Sequence, residues 1–250
     1  MALQEELEVQ GNKLFKYRSN LPLILLAVSI PVFIYTHAST NLFDNFISYN
    51  LYELISLMVC FFGLAIRIYT VGHTPKNTSG RNTAEGQVAD VLNTRGIYST
   101  VRHPLYVGNF FMWLGIAMLV QDLWYIIAFV FIYWVYYERI MFAEEQFLRK
   151  KFGEIYVSWS LKTPAFIPSF KNFNNNELTF SWKKVIKKEK NGVAAIFIVF
   201  LLFRFILDYM KTGTVITNSW QVYVTAASIV LYFILKFIKS KTSLLDEEGR

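Results

Sequence analysis

Six apolar stretches, roughly 20–37, 51–71, 104–120, 122–142, 192–210 and 220–238, dictate what this chain can fold into. About 20 helical residues cross the hydrocarbon core of a bilayer, and each stretch reaches that length or comes near it. Inside lipid every backbone N–H and C=O must be paired within the protein, which a helix does segment by segment. Pro22 and Pro31 interrupt the first stretch, but neighbouring helices can satisfy the carbonyls a proline frees. The expected fold is all-α: a polytopic membrane bundle of about six transmembrane helices. Hydrophobic residues make up 54% of the 250 and charged ones only 17%, too apolar for an ordinary soluble domain.

Charge placement sets the orientation. The connections at 38–50, at Gln121-Asp122 and at 211–219 hold a single basic residue, Lys211. The other side receives Lys13, Lys16, Arg18, Lys76, Arg81, Arg95 and Arg102, then the clusters at 149–151 and 183–190, then Lys239 and Lys241. Basic residues stay cytoplasmic, so both termini are expected there. The net charge of +7 then reads as topology and attraction to anionic head groups, with no basic, aromatic-interleaved module for nucleic acid. Glu5, Glu6 and Glu8 precede the first stretch and no small-residue cleavage site follows it, so no cleaved signal peptide is expected. That fits a bacterial inner membrane or the endoplasmic reticulum. The lone Cys60 lies in an apolar run, so neither a disulfide framework nor a cysteine metal cluster is expected.

Two of the apolar stretches form a hairpin. It leaves the cytoplasmic face after Arg102-His103-Pro104, turns at Gln121-Asp122 and returns near Glu138-Arg139. Glu144 and Glu145 thereby come back to the surface that carries His103. The segment YERIMFAEEQFLRKKFGEIYVSW (137–159) is expected to continue as one helix, with Phe142, Phe147, Leu148, Phe152, Ile155 and Tyr156 as its apolar stripe. Each part also has a structural reading: Arg102 and His103 as a positive flank, the carboxylates as a solvated face pairing with Arg149 or Lys150, the aromatics as interfacial anchors. Arg67 is harder to dismiss, because a charge within a span costs at least ~2.5 kcal/mol unless it snorkels or is paired. Asp44 or another inward-facing carboxylate is the expected partner. KNFNNNELTF (171–180) reads as a polar surface connector.

The motifs GIYSTVRHPLYVG (96–108), EEQFLRKKFGEIYVSW (144–159) and TPAFIP (163–168) together resemble the isoprenylcysteine carboxyl methyltransferase and phospholipid methyltransferase family of integral membrane methyltransferases. The resemblance covers about 80 residues and divides the chain into 1–71 with two spans, a methyltransferase core at 72–170, and 171–250 with a connector and two further spans. It implies S-adenosylmethionine as methyl donor in a cytoplasmic-side pocket, and a lipid or lipidated acceptor. Donor contacts are implied for Asp90, Val91, Leu92, Asn93, Tyr98, His103, Pro104, Leu105, Tyr106 and Glu144, and catalytic roles for Arg102, Arg139 and Glu145. Relatives carry a substrate-facing arginine four residues before the first glutamate. This chain has Ile140 there and its arginine one place earlier, a rotation of about 100° on a helix.

An anionic acceptor oxygen needs no proton removed, only donors to place it, and the arginines lean the site that way. Methyl transfer to a carboxylate or phosphate oxygen is therefore expected. The alternatives are transfer to a lipid amine with Glu145 or His103 as base, an NADPH-dependent sterol or enone reductase, and a non-enzymatic transporter or scaffold.

Overall fold

The structure is a computed structural model describing residues 2–39, 46–78 and 87–249, the side chains of 46–48 excepted. Asp44 and Arg81 lie outside the described residues. Among the described residues there are eight α-helices and no strand: α1 (Leu3–Lys16), α2 (Asn20–Ser39), α3 (Phe46–His73), α4 (Pro104–Met118), α5 (Leu123–Phe152), α6 (Glu154–Ser160), α7 (Trp182–Thr212) and α8 (Trp220–Lys241). Helices α2, α3, α5, α7 and α8 are long and apolar enough to cross a membrane, and α4 is a shorter apolar helix.

Local chemistry places the helix ends. Pro104 opens α4, where its fixed φ suits the first turn and its missing N–H would have had no partner. Asp122 caps α5, its side chain accepting from the Tyr125 amide at 2.6 Å. Arg149, Lys150 and Lys151 complement the dipole at the other end. The helix expected over 137–159 is broken at Gly153, whose φ of 54° only glycine adopts readily, and resumes as α6. The lysines at 183–190 belong to the first turns of α7, which starts ten residues before its apolar stretch.

Helices α3 and α4 approach through glycines. A Cβ on Gly63 would stand 2.4 Å from the Gly108 carbonyl oxygen, and one on Gly115 2.4 Å from both Cys60 Sγ and the Ser56 carbonyl oxygen. Such contact lets dispersion act between backbones in lipid, where apolar burial alone gives no drive to associate. Phe33 of α2 and Phe200, Phe203 and Leu207 of α7 close the core on α3 and α4. Helix α8 packs on α7 and is otherwise outward, with only 11% of its apolar window buried.

Two ion pairs tie α3 to α7. Near one end Arg67 gives Nε and Nη2 to the two oxygens of Glu189, each at 2.8 Å, and Nη1 to Asn109 Oδ1 at 2.5 Å. Near the other, Arg204 reaches Glu53 at 3.3 Å, Asn50 at 2.9 Å and Asp208 at 3.4 Å. The carboxylate expected for Arg67 is thus Glu189, from the lysine-rich start of α7.

The amphipathic helix α1 has no counterpart in the apolar pattern. It docks on α5, so closely that a Cβ on Gly11 would stand 2.1 Å from the Arg139 carbonyl oxygen.

Candidate active site

The Arg102-His103-Pro104 turn is held from three sides. The TPAFIP segment runs along it and accepts its amides: Arg102 N–H to the Pro164 carbonyl at 2.8 Å and His103 N–H to Ala165 at 3.2 Å. Ser169 N–H returns a bond to the Thr100 carbonyl at 2.9 Å. Prolines suit this strand-like edge because they need no partner for an N–H of their own. From below, Tyr133 of α5 donates to the Tyr106 carbonyl at 2.8 Å. From above come the paired glutamates.

Those glutamates divide their work. Glu145 accepts from Arg102 Nη1 at 2.9 Å and lies 2.9 Å from His103 Nε2, so both its oxygens hold the turn onto α5. Glu144 accepts from the Tyr106 hydroxyl at 2.8 Å and faces a cavity of about 570 Å³. His103 lies between them, its Nδ1 3.6 Å from Glu144.

Val91, Leu92, Asn93, Tyr98, Arg102, His103, Pro104, Leu105, Tyr106 and Glu144 all line this cavity. Asp90 does not border it; its carboxylate accepts from Asn77 Nδ2 at 3.0 Å. Arg139 does not border it either: Ile140 is the buried residue at that turn, and Arg139 lies 3.5 Å from its neighbour Glu138. Glu145 stands behind the wall rather than in it.

The lining suits the implied donor. Glu144 offers a carboxylate to a sulfonium and an α-amino group. Tyr98 and Trp159 offer ring faces, and Val91, Leu92, Phe147 and Leu148 offer apolar walls to adenine. The volume falls in the range of small-molecule sites, about 300–1,000 Å³. Trp159 is fixed by donating Nε1–H to the Tyr98 carbonyl at 3.1 Å. Desolvation raises the Tyr98 phenol above its ordinary value, with the Glu144 carboxylate adding to it. The same two causes, with Glu145 as the carboxylate, raise Tyr156. Both phenols therefore stay protonated and neutral at physiological pH.

Further lining comes from elements the motifs do not reach. Phe15, Arg18, Ser19, Pro22 and Leu23 come from the corner between α1 and α2, and Lys188 and Glu189 from α7. The connector at 171–180 is bound down: Gly96 N–H donates to the Asn174 carbonyl at 2.9 Å, and Asn176 donates to the Tyr69 hydroxyl at 2.8 Å. Gly96, with φ of 59°, has Asn176 where a Cβ would be. Buried Lys184 donates to the Thr74 carbonyl at 2.6 Å and to Pro75 at 3.1 Å, anchoring the chain that leaves α3.

A carboxylate-bearing helical hairpin thus closes over a proline turn, with a cavity of small-molecule size against it. Residues 52–155 match the phospholipid methyltransferase family. Several protein-S-isoprenylcysteine O-methyltransferases are similar to the chain over parts of its length. It is 39% identical to the protein-S-isoprenylcysteine O-methyltransferase of Schizosaccharomyces pombe over 31% of this chain and 33% of that one. With the protein of the same name from Tribolium castaneum it shares 27% over 48% of this chain and 42% of that one. With the cobalt-zinc-cadmium resistance protein CzcN of Cupriavidus metallidurans it shares 32% over 33% of this chain and 38% of that one. The chain thus spans 33% to 42% of the length of these curated relatives. No solved structure matches it.

Proposed function

We propose that this chain is an S-adenosylmethionine-dependent integral membrane methyltransferase acting on a carboxylate or phosphate oxygen of a lipid or lipid-anchored acceptor, with its site on the cytoplasmic side. The observation that carries the reading is the division between the two glutamates: Glu145 is tied by Arg102 and His103, while Glu144 faces the cavity. Bound there, S-adenosylmethionine supplies a methyl already activated by its sulfonium. The residues then have positioning to do. Glu144 meets the positive end of the donor, Tyr98 and Trp159 hold adenine, and the turn from His103 to Tyr106 forms the floor. Arg102 and Glu145 keep that turn rigid. Alignment of this kind is the main contribution a protein can make when the leaving group is already good.

The oxygen preference has its own support. An amine acceptor arrives protonated and needs a base facing the cavity. Glu144 accepts from Tyr106 and is assigned to the donor, His103 Nε2 is held on Glu145, and both oxygens of Glu145 are engaged behind the wall. An anionic oxygen needs none.

Calorimetry with S-adenosylmethionine on the detergent-solubilised protein tests the first half of this reading. Saturable binding that Glu144→Gln weakens is expected, and no binding by the unmutated protein would sink it. Radiolabelled methyl transfer to a lipid extract tests the second half. Label appearing in an amine head group overturns the oxygen preference.

A further inference from the structure

Arg204 lies about 22 Å along α7 from Glu189, at the end of the bundle opposite the Glu144 cavity. Beside it is a second cavity, of about 540 Å³, that shares no lining residue with the first. Helices α3, α7 and α8 form its walls. Glu53 and Gln221, 6% and 8% exposed, stand on its polar side with Asn50, Asn218 and Ser219. Leu54, Leu57 and Phe197 make the opposite side apolar.

The charges at this end answer one another. Arg204 reaches Glu53 at 3.3 Å and Asp208 at 3.4 Å, and Lys211 acts on Asp208 from further along α7. Two cations thus balance two carboxylates, and a charged head group would meet a like charge here with no net field to draw it in. Ion pairing accounts for the charges but not for the open space beside them. What else borders that space is uncharged: the amides of Asn50, Asn218 and Gln221 and the hydroxyl of Ser219. Ser219 precedes α8, yet its side chain makes no cap bond. Its Oγ is shut from solvent with no hydrogen-bond partner among the described residues, a state that calls for one. At the rim Trp220 is 57% exposed, and Leu54, 51% exposed, opens the apolar side toward lipid on a membrane-crossing helix.

We propose that this cavity binds a lipid whose head group is uncharged and rich in hydroxyls, of the glycosyl class. Side-chain amides both donate and accept, and a carboxylate accepts through two oxygens, which suits neighbouring hydroxyls on one ring. The Ser219 hydroxyl gains the partner it lacks, and the Trp220 ring covers the C–H face of a sugar. The tail leaves over Leu54 and Leu57. Such a lipid joins α3 to α8, which packs chiefly on α7. The site is separate from the Glu144 cavity, so the inference does not rest on methyl transfer.

The test uses lipids of one acyl composition with different head groups: glucosyl diacylglycerol, phosphatidylcholine and phosphatidylglycerol. Free glucose serves as a probe without a tail. The full chain is held in a detergent that carries no sugar, and binding is read by native mass spectrometry and by thermal unfolding. The glucosyl lipid is expected to bind about tenfold more tightly than either phospholipid, the scale of one or two net hydrogen bonds. It should also raise the unfolding temperature, and free glucose should not. Trp220→Ala and Asn218→Ala alter exposed positions, so folding is not at stake. Each should weaken the glucosyl lipid about threefold or more and leave the phospholipids unchanged. Ser219→Ala should do the same from inside the cavity, and its own cooperative unfolding shows that it folds. An unmutated protein with no preference for the glucosyl lipid overturns the inference, whether it binds all three lipids or none. So does free glucose bound as tightly as the lipid. A preference that survives intact in Trp220→Ala, Asn218→Ala and Ser219→Ala alike overturns it too, by putting the sugar elsewhere.

Discussion

Arg67 of α3 and Glu189 of α7 share two parallel hydrogen bonds of 2.8 Å, with Glu189 almost fully buried and Arg67 capped by Asn109. Removing one partner of such a pair leaves the other charge uncompensated away from water, whereas removing both does not. Glu189→Ala is therefore expected to destabilise the protein by about 3 kcal/mol. Arg67→Met with Glu189→Met should recover most of that loss. Thermal unfolding in one detergent checks both, and equal stability of the single and double variants counts against the pair as described.

The two neighbouring glutamates should fail differently. Glu144→Gln is expected to lower S-adenosylmethionine affinity tenfold or more, the scale of a lost charge-assisted contact, with little change in stability. Glu145→Gln should leave donor contacts in place but loosen the turn, seen as faster amide exchange at Arg102 and His103. Identical behaviour of the two variants would show that the split between wall and brace is not real.

Gly63 and Gly115 set the distance between α3 and α4. Gly63→Ala would drive a methyl into the Gly108 carbonyl and the Met112 backbone, which lie 2.4 and 2.5 Å from an added Cβ. A loss of about 1–3 kcal/mol is expected, as for overpacking in a close-fitted core. Gly153→Ala also strains a positive φ, but nothing lies within 4 Å of its Cβ. Its cost should be about 1 kcal/mol. Unfolding measurements that rank the two in the opposite order would refute this.

The tail after α8 folds back on α7. Lys187 bonds Asp246 at 2.5 Å, Ser181 bonds Glu247, and Lys76 N–H donates to the Gly249 carbonyl at 3.0 Å. The Lys187 hydrogen bond and charge hold the Asp246 carboxyl below its ordinary range. A carboxyl depressed on folding adds stability above its unfolded pKa, near 3.9, and that stability is lost as pH falls through the folded value. Docking should thus be complete at neutral pH and released only in strong acid. Asp246→Asn mimics the protonated form at pH 7 and should speed amide exchange over 242–249. Unchanged exchange there would mean that Asp246 does not hold the tail.

Apolar length alone marked out the spans, because lipid leaves a helix no other way to pair its backbone, and α2, α4, α5 and α8 begin within a few residues of the stretches that announced them. The turn at His103 and its return to Glu144 were readable for a related reason, since a two-residue connection forces a hairpin. What stayed hidden depends on contacts between distant parts of the chain. Glu189 sits among lysines and reads as part of a solvated cluster until α7 carries it 122 residues back to Arg67. Helix α1 has a glycine at its centre and charges along its length, so only the fit of Gly11 against α5 reveals its purpose. Arg18 looked like a topological charge for the same reason. Arg139 and Ile140 show the converse: the one-residue offset in the motif is visible in sequence, and the helix puts Ile140, not Arg139, on the inner face.

Helix α4 has 15 residues, about 22 Å, whereas the hydrocarbon core is about 30 Å thick. Were α4 to stand upright with its turn at Gln121 against the far head groups, its start near Tyr106 would fall some 8 Å short of the near ones, roughly the difference between those lengths. The cavity floor would then lie as a well below the rim of the near leaflet. On the proposed reading, a water-borne donor would enter from the rim while the acceptor's tail stayed in lipid. In that arrangement the depth of the acceptor's head group would act as a gauge, because only one able to sink that far could meet the proposed methyl donor.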